Sequence, residues 1–145
     1  MNYIIRPMEI KDIVQVAAIE KNIFSVPWSA NSFIEASQNE NNIYLVCVQN
    51  DEVTGYCGLW TVLGEGDVTN VAVSKKHRGK GYGRALLKEL ENRGLEKKVI
   101  KFFLEVRQNN IIAKNLYLSS GYKDIGIRKN FYERPTEDAV IMIKE

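Results

Sequence analysis

The chain has 145 residues, with 20 Lys and Arg against 18 Asp and Glu, a formal net charge of +2, and 45% hydrophobic residues. That length and apolar content suit a single core, so one domain spanning residues 1–145 is expected, and the small, evenly spread charge argues against a nucleic-acid binder. The start, Met1 to Pro7, lacks a basic region followed by a long apolar run, and no later apolar run approaches membrane-spanning length, so a cytoplasmic protein without membrane contact is expected.

Tyr3 to Arg6 reads as a short strand that Pro7 ends. Glu9 to Phe24 carries helical periodicity: Ile10, Ile13, Val14 and Ala17 form a stripe, which Val16, Ile19, Ile23 and Phe24 widen. Val26-Pro27-Trp28-Ser29 breaks it, and Ser29 is placed to cap a second helix through Phe33, Ile34 and Ala36, with Ser32 and Glu35 as an alternative capping box. From Ile43 the period changes to that of strands. Ile43 to Val48, a turn at Asn50-Asp51, and Val53 to Val62 make a hairpin, and a Gly64-Glu65-Gly66 turn leads into a third antiparallel strand, Asp67 to Val73. Cys47 and Cys57 lie in these apolar strands with no Cys or His at metal-ligand spacing. They read as buried free thiols that could face each other across the hairpin, and no metal site is suggested.

After Val73 comes Ser74-Lys75-Lys76-His77-Arg78-Gly79-Lys80-Gly81-Tyr82-Gly83-Arg84, a basic glycine-rich loop running straight into a helix. Glycines at alternate positions let the backbone turn tightly and approach a ligand, so that N–H groups at a helix start can point at phosphate oxygens, with Arg78, Lys80 and Arg84 adding charge. A P-loop is excluded because Gly79-Lys80 is followed by Gly81 rather than Ser or Thr. A dinucleotide fingerprint is excluded because its third glycine is missing. Within this segment Tyr82 reads as packing beside the loop and His77 as a surface residue flanking the phosphates; Trp60, in the preceding hairpin, reads as sheet core or cleft wall.

The helix runs from about Gly83 to Arg93, with Ala85, Leu86, Leu87 and Leu90 facing the core, Glu89 placed to pair with Arg93, and Gly94 as a left-handed cap. Val99 to Val106 is the most apolar strand and is expected at the centre of the sheet, buried on both faces. Asn109 or Asn110 starts a helix through Ile111, Ala113, Leu116 and Tyr117, ended by Gly121, and Tyr122 to Arg128 and Ala139 to Lys144 are the last strands. The order β-α-α-β-β-β-α-β-α-β-β is a mixed α/β sheet with helices on both sides.

Two side chains in the second half could carry chemistry. Glu105 is a carboxylate within Phe102-Phe103-Leu104-Glu105-Val106, and such a group either reaches water at a cleft, serves proton transfer, or pairs with Arg107 or Lys101 at an exposed edge. Tyr117 is either a core aromatic or a proton donor, since a phenol is neutral at pH 7.

Arg78, Gly81 and Gly83, as R-x-x-G-x-G between a strand and a helix, resemble the acetyl-CoA pyrophosphate loop of the GCN5-related N-acetyltransferases. That resemblance implies the acetyltransferase (GNAT) fold, with the fourth and fifth strands splayed into a V. There the pantetheine arm would pair with backbone groups of Val71, Ala72 and Val73, and the pyrophosphate would lie over Gly79, Lys80, Gly81, Tyr82, Gly83 and Arg84. Leu104-Glu105-Val106-Arg107, Asn110, Ala113, Leu116-Tyr117 and Gly121-Tyr122 narrow it: they are similar to the L-E-V-R-x-x-N-x-x-A-x-x-L-Y-x-x-x-G-F/Y segment of the RimI-type enzymes. Pro27-Trp28-Ser29 with Phe33 resembles that group's P-W-S-x-x-x-F helix. Arg128-Lys129-Asn130-Phe131-Tyr132 with Glu137-Asp138-Ala139 and Met142 resembles its ending, with Phe131 in place of a tyrosine and Gly126 where a side chain is common.

The resemblance implies acetyl transfer from acetyl-CoA to the α-amine of an N-terminal alanine on protein eighteen of the small ribosomal subunit, by direct transfer in a ternary complex. Glu105 would accept the proton, Tyr117 would donate one, and Asn110 would hold the cofactor. A monomer acting on a protein N-terminus, without direct nucleic-acid contact and without a metal, is expected. Glu20, Glu35, Glu133, Glu137 and Asp138 would either attract a basic N-terminal segment or form a solvated face. Acetylation of lysine or a small amine, and a non-catalytic CoA-binding module, are the alternatives.

Overall fold

The computed structural model describes residues 2–145; Met1, where the segment read as lacking a leader begins, lies outside the described residues. Among those residues seven strands and four α-helices follow in the expected order. They are β1 (Ile4–Pro7), α1 (Ile13–Ile23), α2 (Ala30–Gln38), β2 (Asn42–Gln49), β3 (Glu52–Val62), β4 (Glu65–Val73), α3 (Tyr82–Glu96), β5 (Lys101–Arg107), α4 (Ile111–Ser119), β6 (Lys123–Tyr132) and β7 (Glu137–Lys144). The strands form one sheet in the order β1-β2-β3-β4-β5-β7-β6. Only the β4–β5 pairing is parallel; the others are antiparallel.

Alternation along the strands gives the sheet two apolar faces, and each takes a pair of helices. Ile43, Leu45 and Cys47 of β2 pack with Leu86, Leu87 and Leu90 of α3, and this core continues through Phe102, Leu104 and Val106 to Tyr117 of α4. Tyr44 and Val46 point the other way, to Ile13 and Val16 of α1 and Phe33 of α2. Local chemistry sets the helix ends. Ser29 Oγ accepts from the Ser32 N–H at 3.1 Å and caps α2, while the alternative Ser32–Glu35 box does not form, because Glu35 accepts from Asn31 instead. Glu89 and Arg93 pair at 2.8 Å along α3, as their spacing predicts.

Packing corrects several sequence expectations. The stripe of α1 is rotated: Ile10 and Val14 are exposed, and Ile13, Val16 and Glu20 are buried. The chain enters α1 through a 3-10 turn over Ile10–Asp12, whose tighter winding puts Ile10 out of phase with the helix that follows. The β3–β4 turn is shorter than expected. Leu63 (φ 48°) and Gly64 (φ 85°) make it, and Glu65 and Gly66 already belong to β4, where a Cβ on Gly66 would lie 2.8 Å from Leu59. Gly94 lies inside α3, not at its cap. A Cβ there would sit 2.8 Å from the Phe102 ring, so its role is close helix–sheet approach, and Lys98 (φ 67°) takes the left-handed position instead.

The strand order puts β4, not β5, in the middle of the sheet, and β5 buries one face fully while Lys101, Phe103, Glu105 and Arg107 on the other are half-buried. Cys47 and Cys57 are free and buried, but Cys57 lies opposite Leu45 and Cys47 opposite Gly55, so the thiols share a face without facing each other.

Candidate active site

β4 and β5 pair only from Glu65–Lys101 to Asp67–Phe103; beyond that point they share no paired residues among the described residues. The parting coincides with a bulge in β4. Gly58 and Leu59 of β3 lie opposite Asn70 and Val68, leaving Thr69 as the extra residue. Thr69 Oγ1 is fastened to the Tyr44 hydroxyl at 2.9 Å, which also accepts from Trp60 Nε1 at 2.9 Å. Trp60 is thus a cleft wall: it is 43% exposed and leans on Trp28 at 6.1 Å. Nothing in the sequence marks Thr69 as a bulge, and it lies just beyond the last paired residues of β4 and β5.

At the far end of the gap the glycine loop meets α3. Gly79 (φ 78°) and Gly81 (φ 84°) are left-handed, and no atom of the described residues lies within 4 Å of the Cβ either would carry, so what they supply is backbone shape and an open approach. Gly83 is different: its Cβ would make ordinary contacts with Leu116 and Val73, so the start of α3 packs against α4 and β4 with room for a methyl group. The first N–H groups of α3, from Tyr82 onward, have no carbonyl a turn earlier and point out of the helix start. Arg78 folds back, with Nε donating to the Val73 carbonyl at 3.3 Å, Lys80 is exposed, and Arg84 donates to Ser119 Oγ at 2.8 Å, tying α3 to α4.

Two loop residues have more interior roles than expected. Tyr82 turns its ring into the core against Tyr3, and its hydroxyl donates to Gln49 at 2.7 Å, so only its backbone faces the cradle. His77 is buried rather than a surface residue. Nδ1 lies 2.6 Å from Ser74 Oγ and Nε2 3.7 Å from Glu52, which pins the base of the loop to the β2–β3 hairpin.

Glu105 and Tyr117 approach the gap from opposite sides. Phe102, Leu104 and Val106 share the core of Tyr117, so strand alternation places Glu105 on the face covered by α1 and α2. Glu105 pairs with neither Arg107 nor Lys101: Arg128 Nε lies 3.0 Å from its Oε2. Tyr132 links the two sides electrostatically. Burial first, then the Glu105 charge, pushes its phenol up to about 12, and Tyr132 in turn adds to the burial that raises Tyr117. Asn110 caps α4, its Oδ1 accepting from the Ala113 N–H at 3.1 Å, so that oxygen is committed to the helix.

The lip of the gap on the Glu105 side is built by Arg107. Its guanidinium donates to the Glu133 carbonyl at 2.7 Å, the Pro135 carbonyl at 3.0 Å, Glu137 at 3.1 Å and Ser25 Oγ at 3.3 Å, and lies 4.5 Å over the Tyr132 ring. It thereby joins the α1–α2 loop to the β6–β7 hairpin. Of the acidic residues expected to face an acceptor, Glu20 is buried. It accepts from the Tyr56 hydroxyl at 2.6 Å and the Trp28 N–H at 3.0 Å; burial raises its pKa, and bonds from Tyr56, Trp28 and Asn70 offset part of the rise. Glu137 is held by Arg107 and the Asn109 N–H, and Asp138 by the Asn130 N–H and Lys129, which keep the Asp138 carboxyl below its usual range. Glu35 and Glu133 are exposed.

A helix start with open glycines, a strand edge without a partner, a carboxylate on one face and a buried phenol on the other can bind an extended, anionic carrier and move protons at its tip. The model of the acetyltransferase (GNAT) family matches residues 13–122. A Haemophilus influenzae protein named ribosomal protein bS18-alanine N-acetyltransferase is 34% identical over 142 residues, covering 96% of each chain. An Escherichia coli protein of the same name is 36% identical over 146 residues, covering 95% of this chain and 94% of its own. The crystal structure of the ribosomal-protein-S18-alanine N-acetyltransferase from Escherichia coli superposes with a TM-score of 0.90 at 32% identity, covering 99% of this chain and 93% of that one. The parted strands, the glycine-lined helix start and these relatives together establish that the chain belongs to the acetyltransferase (GNAT) family.

Proposed function

We propose that residues 1–145 act as one N-acetyltransferase domain that moves an acetyl group from acetyl-CoA to the α-amine of an N-terminal alanine, that of ribosomal protein bS18. The relatives' shared name supports the acceptor. The observation that carries the reaction is the loss of β4–β5 pairing after Asp67 and Phe103, with Glu105 and Tyr117 on opposite faces of the opening.

The residues present fit acetyl-CoA. Gly79 and Gly81 leave their backbone open where a Cβ would stand, as a pyrophosphate cradle requires, and Val71, Ala72 and Val73 lie on the unpaired stretch of β4 where pantetheine amides would add like a strand. Arg78, Lys80 and Arg84 supply charge, and Asn110 orients α4. The coenzyme supplies an activated acyl thioester; the chain does the rest. N–H groups near Val71 stabilise negative charge developing on the carbonyl oxygen. Glu105 takes the proton from the attacking amine, whose reference pKa of about 8 leaves part of it already neutral. Tyr117, kept protonated by burial, gives its proton to the departing thiolate. Neither cysteine takes part. Most of the acceleration comes from holding amine and thioester together. The enzyme works as a cytoplasmic monomer.

Incubating the protein with acetyl-CoA and an alanine-starting bS18 peptide, then reading mass and site by tandem mass spectrometry, tests this. The expected outcome is a single acetyl on the free α-amine and none on a peptide whose α-amine is blocked. Acetylation of lysine in the blocked peptide, or no thioester cleavage with any amine, would overturn it.

A further inference from the structure

Among the carboxylates that pair with an arginine, Asp12 and Glu105 are held in different ways. Arg6 grips the buried Asp12 with a fork at 2.7 and 2.9 Å, and Asp12 also accepts the Glu9 N–H at 2.8 Å. Arg128 touches Glu105 through one atom, Nε at 3.0 Å from Oε2. The N–H is not aimed at that oxygen, which is buried without a hydrogen-bond partner among the described residues. The Arg128 side chain is 60% exposed, sits on the edge strand β6, and lies 5.6 Å over the Phe131 ring. Across the gap, Asp67 is raised by burial, and the charge of Arg128 offsets part of that rise.

We infer that Arg128 is a displaceable stand-in for the acceptor's ammonium group: it rests on the carboxylate that the incoming amine must reach and yields that place when a cationic N-terminus enters. The inference rests on Glu105 being the proton acceptor. An aligned, buried fork resists exchange, whereas an exposed contact through one poorly aimed atom contributes little to hold it in place. The exchange keeps the charge balance, one cation replacing another beside Glu105, so no lone carboxylate is left in a half-buried site. The Phe131 face gives the displaced guanidinium a resting place. When the acceptor is seated, one N–H bond of its ammonium breaks and an O–H bond forms on Glu105, while Arg128 stays charged throughout. Until then the guanidinium keeps Glu105 Oε2 out of water.

Initial-rate kinetics with an alanine-starting peptide at saturating acetyl-CoA test this in the full chain. Arg128→Ala should lower the acceptor KM by about two- to fivefold, the span that an exposed ion pair allows. Arg128→Gln, which keeps the aliphatic stem over Phe131, should do the same. Guanidinium chloride at millimolar, non-denaturing concentrations should inhibit both variants competitively against the peptide and the parent protein far less, because only the variants leave the seat open. A raised acceptor KM in both variants, or equal guanidinium inhibition of all three proteins, would overturn the stand-in. Glu105→Gln separates the two layers. If it turns over like the parent, the assignment of Glu105 fails and the inference with it. If it is inactive while the Arg128 variants raise KM, only the stand-in fails.

Discussion

The donor side and the acceptor side of the gap are built in opposite ways. The cradle is one continuous stretch, Val71 to Arg84, whose geometry is almost all backbone: a strand edge, two left-handed glycines and a helix start. The acceptor side is assembled from side chains of distant elements, with Ser25 meeting the Glu133 carbonyl, 108 residues away, and Arg107 joining both to β5. A backbone site tolerates exchange of its side chains but not of its dihedral angles; a side-chain site behaves in reverse. The two sides should therefore fail separately.

The largest separation is expected at the proton-transfer pair. Glu105→Gln and Tyr117→Phe should each lower kcat by about 10²- to 10⁴-fold, the range of general acid–base catalysis, with acetyl-CoA affinity by calorimetry nearly unchanged. Parent-like turnover in both would break the comparison at its centre. Next come the loop glycines. Gly81→Ala has room for its methyl group, so any effect reports the φ of 84° alone, and a left-handed non-glycine residue costs about 1–2 kcal/mol. Acetyl-CoA should bind about 5- to 30-fold more weakly, while Arg78→Ala, which loses charge but keeps the backbone, should do less. If the order is reversed, charge rather than backbone shape holds the coenzyme. Smaller again is Arg107→Ala, which cuts the link between the α1–α2 loop and the β6–β7 hairpin. It should raise the acceptor KM several-fold, with acetyl-CoA binding unaffected.

The same division explains what was legible in the sequence. The cradle could be read because strand, loop and helix follow one another and the glycines carry their own conformational meaning; Gly81 caps α3 with a positive φ, as that loop requires. Ser29, Asn110 and the Asn50-Asp51 turn were legible for the same local reason. The partner of Glu105 was not, because Arg128 reaches it only through the β5–β7–β6 order of the sheet, and the nearer cations Lys101 and Arg107 looked equally fit. Gly94 and Gly66 misled because a glycine needed for close packing looks the same as one needed for a turn. Periodicity assigned α1 to another face, and Glu20 read as attracting a basic N-terminal segment or lying on a solvated face, since a carboxylate is buried only where distant donors satisfy it, here Tyr56 of β3 and Asn70 of β4.

Glu20 offers the finest test of how the acceptor side is held. Its carboxylate fixes the Trp28 backbone, and Trp28 stacks on Phe33, Tyr44 and Trp60, so this buried group anchors one lip of the gap from beneath. Burial raises its pKa above the ordinary 4.5, so the folded state holds the proton more tightly than the unfolded state does. The stability this carries is complete below the unfolded pKa and is lost as pH rises through the folded value. Glutamine does not titrate. The melting temperature of Glu20→Gln minus that of the parent should therefore grow more positive between about pH 4 and pH 7, by a few degrees at most for a domain of this size. A difference that stays flat would mean the bonds from Tyr56, Trp28 and Asn70 fully compensate the burial. A difference that falls with pH would mean they overcompensate, making Glu20 an anchor that works best when charged. Either result would locate the rigidity of the acceptor side in that bonded carboxylate rather than in the aromatic stack above it.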